Sequence, residues 1–271
     1  MPTDIDASRG DVLAALREGE LDIEGRLVDA SNVALRVWVE GRDPGSQIAA
    51  VYKPIRGESP LWDFPDDSLA AREAAAFLVS QAGGWDLVPP TVLRDGPLGA
   101  GSLQLWVGPL DERPDHELLR VDSGSQAPRG YVPIWSVLDN RDRPQIVSHS
   151  DVQALRDLAV LDTVLNNADR KASAIIVDDE GRVWAIDQGL CFHHSPKLRT
   201  CLWGFAEEPL DAGNLARLER LAKFLTEANP LDALLTSAEL TALASRCRRL
   251  LRDETYPKVP EGRTPLPWPL W

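Results

Sequence analysis

Asp162-Thr163-Val164-Leu165-Asn166-Asn167-Ala168-Asp169-Arg170-Lys171-Ala172-Ser173-Ala174 leads into Ile175-Ile176-Val177, the turn Asp178-Asp179-Glu180-Gly181, and Val183-Trp184-Ala185-Ile186-Asp187-Gln188-Gly189. This reads as a helix end, a polar loop and two short apolar strands around a turn. Asp169 and Asp187 then stand at the mouths of adjacent buried elements. Phosphoryl transfer asks the protein mainly for positioning and charge stabilisation, with one Asp near the attacking hydroxyl and another on Mg²⁺. In that layout Asp169 takes the first role and Asp187 the second. Asp178 to Gly181 is a hairpin turn, made of common turn formers. Taken by itself, Asp169 reads better as a helix-end or loop residue paired with Arg170.

Outward from this stretch, Leu155, Leu158, Leu161 and Leu165 form a helical stripe leading into the loop. Ser150 with Gln153 has capping-box spacing, and Asp162, on the helix, is suited to orienting the loop. Nearer the start, Asp11 to Gly19 reads as a short amphipathic helix and Leu21 to Val28 as a strand. Val33, Leu35, Val37 and Val39 alternate as in a half-buried strand, and Ile48 to Tyr52 returns antiparallel to it. Lys53 ends that strand and is one of five lysines in an Arg-rich chain. Ile55 to Pro65 reads as a loop, and Ser68 as the cap of an alanine-rich helix through Gln81, stopped by Gly83-Gly84. Leu87 to Leu93 reads as an edge strand and Ser102 to Val107 as an inner one, followed by Gly108-Pro109.

Leu110 to His149 loses periodicity and fills with Pro, Gly and Asp, the profile of an irregular insert or flap with one short element at Tyr131 to Leu138. Two amphipathic helices follow, Gly213 to Ala228 and Thr236 to Glu254, the second opened by a Thr236/Glu239 capping box. The tail from Pro257 to Trp271 is rich in Pro and Trp and reads as extended chain on the surface.

The 271 residues, 44% hydrophobic and 26% charged, suit one large domain or two lobes. A net charge of −13 argues against nucleic acid and anionic membrane as partners. Met1 to Asp6 has neither the basic start nor the apolar core of a signal peptide, and no stretch reaches the length of a membrane span. Cys191, Cys201 and Cys247 form no CxxC pair. A reducing cytoplasm is the expected compartment. Cys191, Cys201, His193 and His194 lack the paired spacing of a zinc site and read as loop and core residues.

Asn167-Ala168-Asp169-Arg170 and Ile186-Asp187-Gln188-Gly189 resemble the catalytic and metal-binding loops of the phosphatidylinositol 3- and 4-kinase superfamily, especially type II phosphatidylinositol 4-kinases. More narrowly, Gly25-Arg26-Leu27, Tyr52-Lys53-Pro54, Asn166 to Lys171 and Leu202-Trp203-Gly204 resemble an actinobacterial family assigned to that superfamily, nearly end to end. The resemblance implies an α+β, two-lobed protein-kinase-like fold. Residues 1–108 would form an N-lobe, with an antiparallel nucleotide-binding sheet and one helix, and residues 109–271 a mainly helical C-lobe. It implies ATP with Mg²⁺, or Mn²⁺, as cofactors and an ATP-dependent transfer to a hydroxyl of a protein or small molecule. Lys53 and Glu73 would pair on the phosphates, Asp187 would hold the metal, and Arg170 would hold the loop or offset charge on the γ-phosphate. The main chain of Gln104, Leu105, Trp106 and Val107 would meet the adenine. The turn Asp29-Ala30-Ser31-Asn32 occupies the place of a phosphate loop without its glycines. In a kinase the segment after Gly189 would choose the substrate, with His193 or His194 as a possible proton carrier.

One departure bears on activity. Ala174 stands where the superfamily carries a second metal ligand, and a methyl group cannot coordinate Mg²⁺. Either Asn167, Ser173 or Gln188 substitutes, or Asp187 holds the ion with water and phosphate, or transfer is weak or absent, as in a nucleotide-binding pseudokinase or a regulatory interaction protein.

Overall fold

Along β2 (Leu35–Glu40) the side chains of Leu35, Val37 and Val39 are buried while those between them are not, and this period-two alternation builds the first sheet. The computed structural model describes residues 4–27, 32–42, 45–110 and 117–271. β1 (Leu21–Arg26), β2, β3 (Gln47–Pro54), β4 (Thr91–Gly96) and β5 (Gly99–Leu105) form a five-stranded antiparallel sheet in the order β1-β2-β3-β5-β4. One face packs Val37, Val39, Tyr52 and Leu103 against Leu16 of α1 (Asp4–Glu18). That helix begins at Asp4 rather than at Asp11. The opposite face carries Lys53, whose cross-strand partner is Ser102, and Gln104, whose partners are Val51 and Thr91.

α2 (Leu69–Gly83) follows, closed by Gly84 in the left-handed conformation. Its expected N-cap is a correction. Ser68 makes no capping bond, and its hydroxyl donates instead to Pro65 O. The Glu58 carboxylate accepts from Leu69 N at 3.1 Å and Ala70 N at 2.8 Å. A long side chain from the preceding loop thus satisfies the first amides of the helix, where a negative charge is favoured.

The segment read as an irregular insert is the larger correction. It holds a second antiparallel sheet, β6 (Leu119–Ser123), β7 (Tyr131–Leu138) and β8 (Pro144–Ser150), in the order β6-β8-β7. Only Tyr131 to Leu138 was legible. β6 has only Leu119 and Val121 as apolar residues, and β8 buries the polar Ser148, His149 and Ser150, so no sustained apolar alternation marks either strand. β6, β7 and β8 therefore make the part after Pro109 less purely helical than expected.

α3 (Gln153–Leu165) enters the main core through Leu155, Leu158, Leu161 and Leu165. Its N-cap is Val152 without a side-chain bond, because Ser150 is taken up by β8. β9 (Ile175–Val177) and β10 (Val183–Ala185) form the expected hairpin. α4 (Ala212–Phe224) and α5 (Ser237–Asp253) complete the core, and Thr236 and Glu239 form the expected capping box. No helix among the described residues is long and apolar enough to cross a membrane.

Candidate active site

The register of β3 brings Lys53 to the end of its strand, facing α2 and the loop after β10. Its Nζ lies 2.6 Å from Glu73 Oε1 and 2.7 Å from Asp187 Oδ1. Glu73 is buried and its other oxygen accepts from Gln188 N at 2.9 Å, so one carboxylate fixes both the lysine and the loop. Asp187 has φ of 59°, a left-handed conformation that an L side chain adopts at a cost and that clusters at functional sites. Its carboxylate remains 62% exposed despite the ion pair. The Lys53 ammonium is the first cause holding Asp187 below the usual carboxylate range, against the desolvation imposed by the protein packed around it. For Lys53, burial alone would lower the pKa, but Asp187 and Glu73 outweigh it and the net shift is upward. One ammonium between two carboxylates leaves a surplus negative charge at an exposed oxygen pair.

α2 is anchored as firmly as it is capped. Arg72, beside Glu73, is buried; its Nη2 pairs with Glu239 of α5 and its Nη1 donates to Cys191 O at 2.5 Å. Gly189 lies against α2, where a Cβ would come 3.4 Å from Leu69 and 3.7 Å from Glu73 Oε1.

The loop after α3 begins at Asn166, in the left-handed conformation with φ of 55°. Asn accepts this cap geometry readily, and its side chain bonds His193 O, Ser195 O and Lys197 N. Asn167 Oδ1 accepts from Asp169 N at 2.8 Å, turning the Asp169 carboxylate outward, where it meets Lys171 Nζ at 3.3 Å. Burial raises the Asp169 pKa, Lys171 and Arg199 oppose that shift, and Asp187 adds to it. The two acids therefore stand within electrostatic reach of each other and are pushed in opposite directions, Asp169 upward and Asp187 downward.

Arg170 and Asp162 are both fully buried, and Arg170 Nε lies 3.1 Å from each Asp162 oxygen. The guanidinium also donates to Ala174 O at 3.2 Å, Ile186 O at 2.7 Å and Gln188 Oε1 at 2.9 Å. Of the two roles expected for Arg170, holding the loop fits this geometry. Contact with a phosphate does not, because the charge is sealed from solvent. Burial pushes the Asp162 carboxyl upward, against the pull of Arg170, Asn167 and Thr200.

The expected substitutes for a second metal ligand fare unequally. Asn167 and Gln188 are buried, with their amides committed to Asp162, Asp169 N and Arg170. Ser173 is exposed, and Ala174 is buried in the short 3-10 turn just before β9. Asp187 is thus the ligand this loop offers openly. Mg²⁺ often binds through one or two carboxylates with water and phosphate, and an exposed, surplus-charged Asp187 fits that pattern.

Along the stretch expected to meet an adenine, Leu105 N donates to Pro90 O and Trp106 N to Ala49 O, both at 2.9 Å. Gln104 is buried and its amide donates to Thr91 Oγ1 at 2.8 Å. These amides belong to the sheet, so the expectation narrows to the chain past Trp106 N, at Val107. Asp29, Ala30 and Ser31 lie outside the described residues; Asn32 Oδ1 accepts from Ser59 N at 2.8 Å. His193 stacks on His194 at 4.4 Å and meets the Phe64 ring edge-on at 5.3 Å. Cys191 and Cys201 are buried free thiols whose pKa values burial raises.

No family model matches the chain. It is 40% identical over 269 residues to Protein Rv2133c of Mycobacterium tuberculosis (strain ATCC 25618 / H37Rv), covering 96% of each chain. Among solved structures it is similar to the Helicobacter pylori proinflammatory kinase CtkA, with TM-score 0.43, 9% identity, and coverage of 89% of this chain and 94% of that one. A likeness that distant carries no argument about this chain.

Proposed function

The chain belongs to the family of the Mycobacterium tuberculosis protein Rv2133c, and we propose that it is an ATP-dependent phosphotransferase with a two-lobed kinase-like fold of the phosphatidylinositol 3/4-kinase type. In this reading residues 1–108 form the nucleotide lobe and residues 109–271 the acceptor lobe. The observation that carries it is the single ammonium of Lys53 held at 2.6 Å from Glu73 and 2.7 Å from Asp187, three residues from distant parts of the chain. A purely structural ion pair needs only one acid. Two carboxylates, one of them exposed and in a left-handed conformation, support a cation- and phosphate-handling site.

Asp187 would hold Mg²⁺, or Mn²⁺, which neutralises charge on the nucleotide phosphates when bound. Lys53, kept charged by its two acids, would contact phosphate oxygens, and Val107 would meet the adenine. Asp169 would orient the hydroxyl of a protein or small-molecule acceptor and take its proton. Its upward-shifted pKa makes it a better proton acceptor than an ordinary carboxylate, and Arg170 with Asp162 keeps the loop in place. Replacement Asp187→Ala should abolish metal-dependent ATP turnover; unchanged turnover would overturn the assignment.

A second reading is supported by Ala174, which leaves Asp187 without a partner ligand from β9. Under it the chain binds nucleotide without transferring phosphate. ATP binding indifferent to Mg²⁺ would favour this pseudokinase, whereas activity raised by Ala174→Asn would favour a weakened enzyme.

A further inference from the structure

α5 carries Arg246 and Arg249 one turn apart, where side chains are neighbours and like charges repel. Both line a cleft of about 940 Å³ whose other walls come from the segment 194–203 and from the chain between Thr255 and Arg263. Arg246 is half-buried. Its Nε donates to Val164 O at 2.8 Å and its Nη1 to His193 O at 3.4 Å, but its Nη2 is covered and has no hydrogen-bond partner among the described residues. Two carboxylates also line the cleft, and both are taken: Glu207 pairs with Lys258 at 3.2 Å and Asp253 with Arg252 at 2.8 Å. Arg263, also on the cleft wall, donates to Pro196 O. Among the described residues, Arg246, Arg249 and Arg263 thus have no carboxylate partner. Burial pushes the Arg246 guanidinium down to about 10 and Arg249 adds to the shift, as expected of a cation short of counter-charge.

A partly desolvated guanidinium with an unused donor is costly unless an anion meets it. The chain itself, with 42 acidic and 29 basic residues, has acids to spare but places none on these arginines. Leu198, Trp203, Leu250 and Tyr256 give the same cleft an apolar lining. We propose that the cleft binds a small organic anion, a carboxylate on an apolar body, with Arg246 and Arg249 holding the carboxylate and Trp203 and Tyr256 meeting the body. Guanidinium groups pair with carboxylates through charge-assisted, often bidentate hydrogen bonds. An inorganic anion would leave the apolar lining wet, and a neutral apolar molecule would leave Arg246 Nη2 unpaired. The volume falls in the small-molecule range of roughly 300–1,000 Å³, and a largely apolar lining with a few polar groups is how such sites are built. None of Lys53, Glu73, Asp169 and Asp187 lines the cleft, so this site is separate from the candidate active site and does not rest on the phosphotransferase reading.

The test is ligand-observed NMR titration of the full chain with three probes: 3-phenylpropionate, its neutral counterpart 3-phenylpropan-1-ol, and inorganic phosphate. The acid should bind with a dissociation constant of about 1 mM or tighter, and the alcohol and phosphate each about tenfold more weakly. Arg246→Gln should weaken binding of the acid by about tenfold and leave the alcohol unchanged, the size of one charge-assisted contact. Arg249 is exposed, so Arg249→Gln should fold even if the Arg246 variant does not, and should weaken the acid by about threefold. Asp187→Ala should leave binding of the acid unchanged, which separates this cleft from the nucleotide site. Equal binding of acid and alcohol would overturn the proposal, as would phosphate binding as tightly as the acid. So would failure of the acid to bind at about ten times the expected dissociation constant, or its binding undiminished in both arginine variants.

Discussion

Replacing Asp162 by Asn should destabilise the protein by about 3–5 kcal/mol, the cost of breaking a buried ion pair from one side. Asp162 and Arg170 both have side chains with 0% exposure, so no water can replace the lost partner. The variant loses the charge opposite Arg170 Nε, which now meets both carboxylate oxygens at 3.1 Å. It also disturbs acceptors used by Asn167 Nδ2 at 3.2 Å and Thr200 Oγ1 at 3.3 Å. Arg170 keeps Ala174 O, Ile186 O and Gln188 Oε1, which prevents a larger loss but leaves its charge uncompensated. Against a typical domain stability of roughly 5–15 kcal/mol, such a loss is a large fraction. Urea denaturation would read it as a lower midpoint at an unchanged slope. In a double-mutant cycle with Arg170→Met, the second replacement should cost much less in the Asp162→Asn background than in the wild type. A loss below about 1 kcal/mol, in the range of an exposed pair, would refute the reasoning.

Two further outcomes follow from the site. Glu58→Ala removes the acceptor for Leu69 N and Ala70 N and should cost about 0.5–2 kcal/mol, as a lost helix cap does. It should also weaken ATP binding, because Glu73 lies one turn further along α2; unchanged stability and affinity in melting and titration experiments would contradict the capping role. The pH dependence has a definite sign. Asp169 must be ionised to take a proton and its pKa is raised, so kcat/KM should fall with decreasing pH on a limb above the ordinary Asp value of about 3.9. Lys171→Met removes a cation that favours the ionised form, and should move that limb to still higher pH; a limb that moved downward would contradict this assignment.

The parts of the site readable from sequence were those carried by short contiguous strings. Asn166 to Lys171 and Ile186 to Gly189 each hold a whole loop, and Lys53 announces itself as a rare lysine ending an apolar strand. The Lys53–Glu73 pair followed from resemblance, and the observed 2.6 Å contact agrees with it. Features built across the chain stayed hidden. Arg72 and Glu239 are far apart in sequence, and an Arg on an alanine-rich helix looks like an ordinary solvated residue until its burial is known. Glu58 caps α2 across the turn that contains Ser68, so local capping statistics pointed to the nearer residue. The loop at 167–170, the segment at 196–200 and the tail are far apart in sequence, and only their bonds join them: Arg170 N to Arg199 O, Thr200 N to Pro265 O and Arg263 to Pro196 O. The second sheet escaped notice because β6 and β8 carry few apolar residues, and β8 buries the polar Ser148, His149 and Ser150.

The central claim is that Asp187, Lys53 and Glu73 form a metal-dependent nucleotide site. Its most direct test is thermal stability of the full chain titrated with ATP, with and without Mg²⁺. A ligand that binds only the native state, present at about one hundred times its dissociation constant, should add roughly 2.7 kcal/mol. The account predicts a stabilisation that requires the metal and disappears in Asp187→Ala; no shift at saturating ATP and Mg²⁺, or one that survives Asp187→Ala intact, would contradict it.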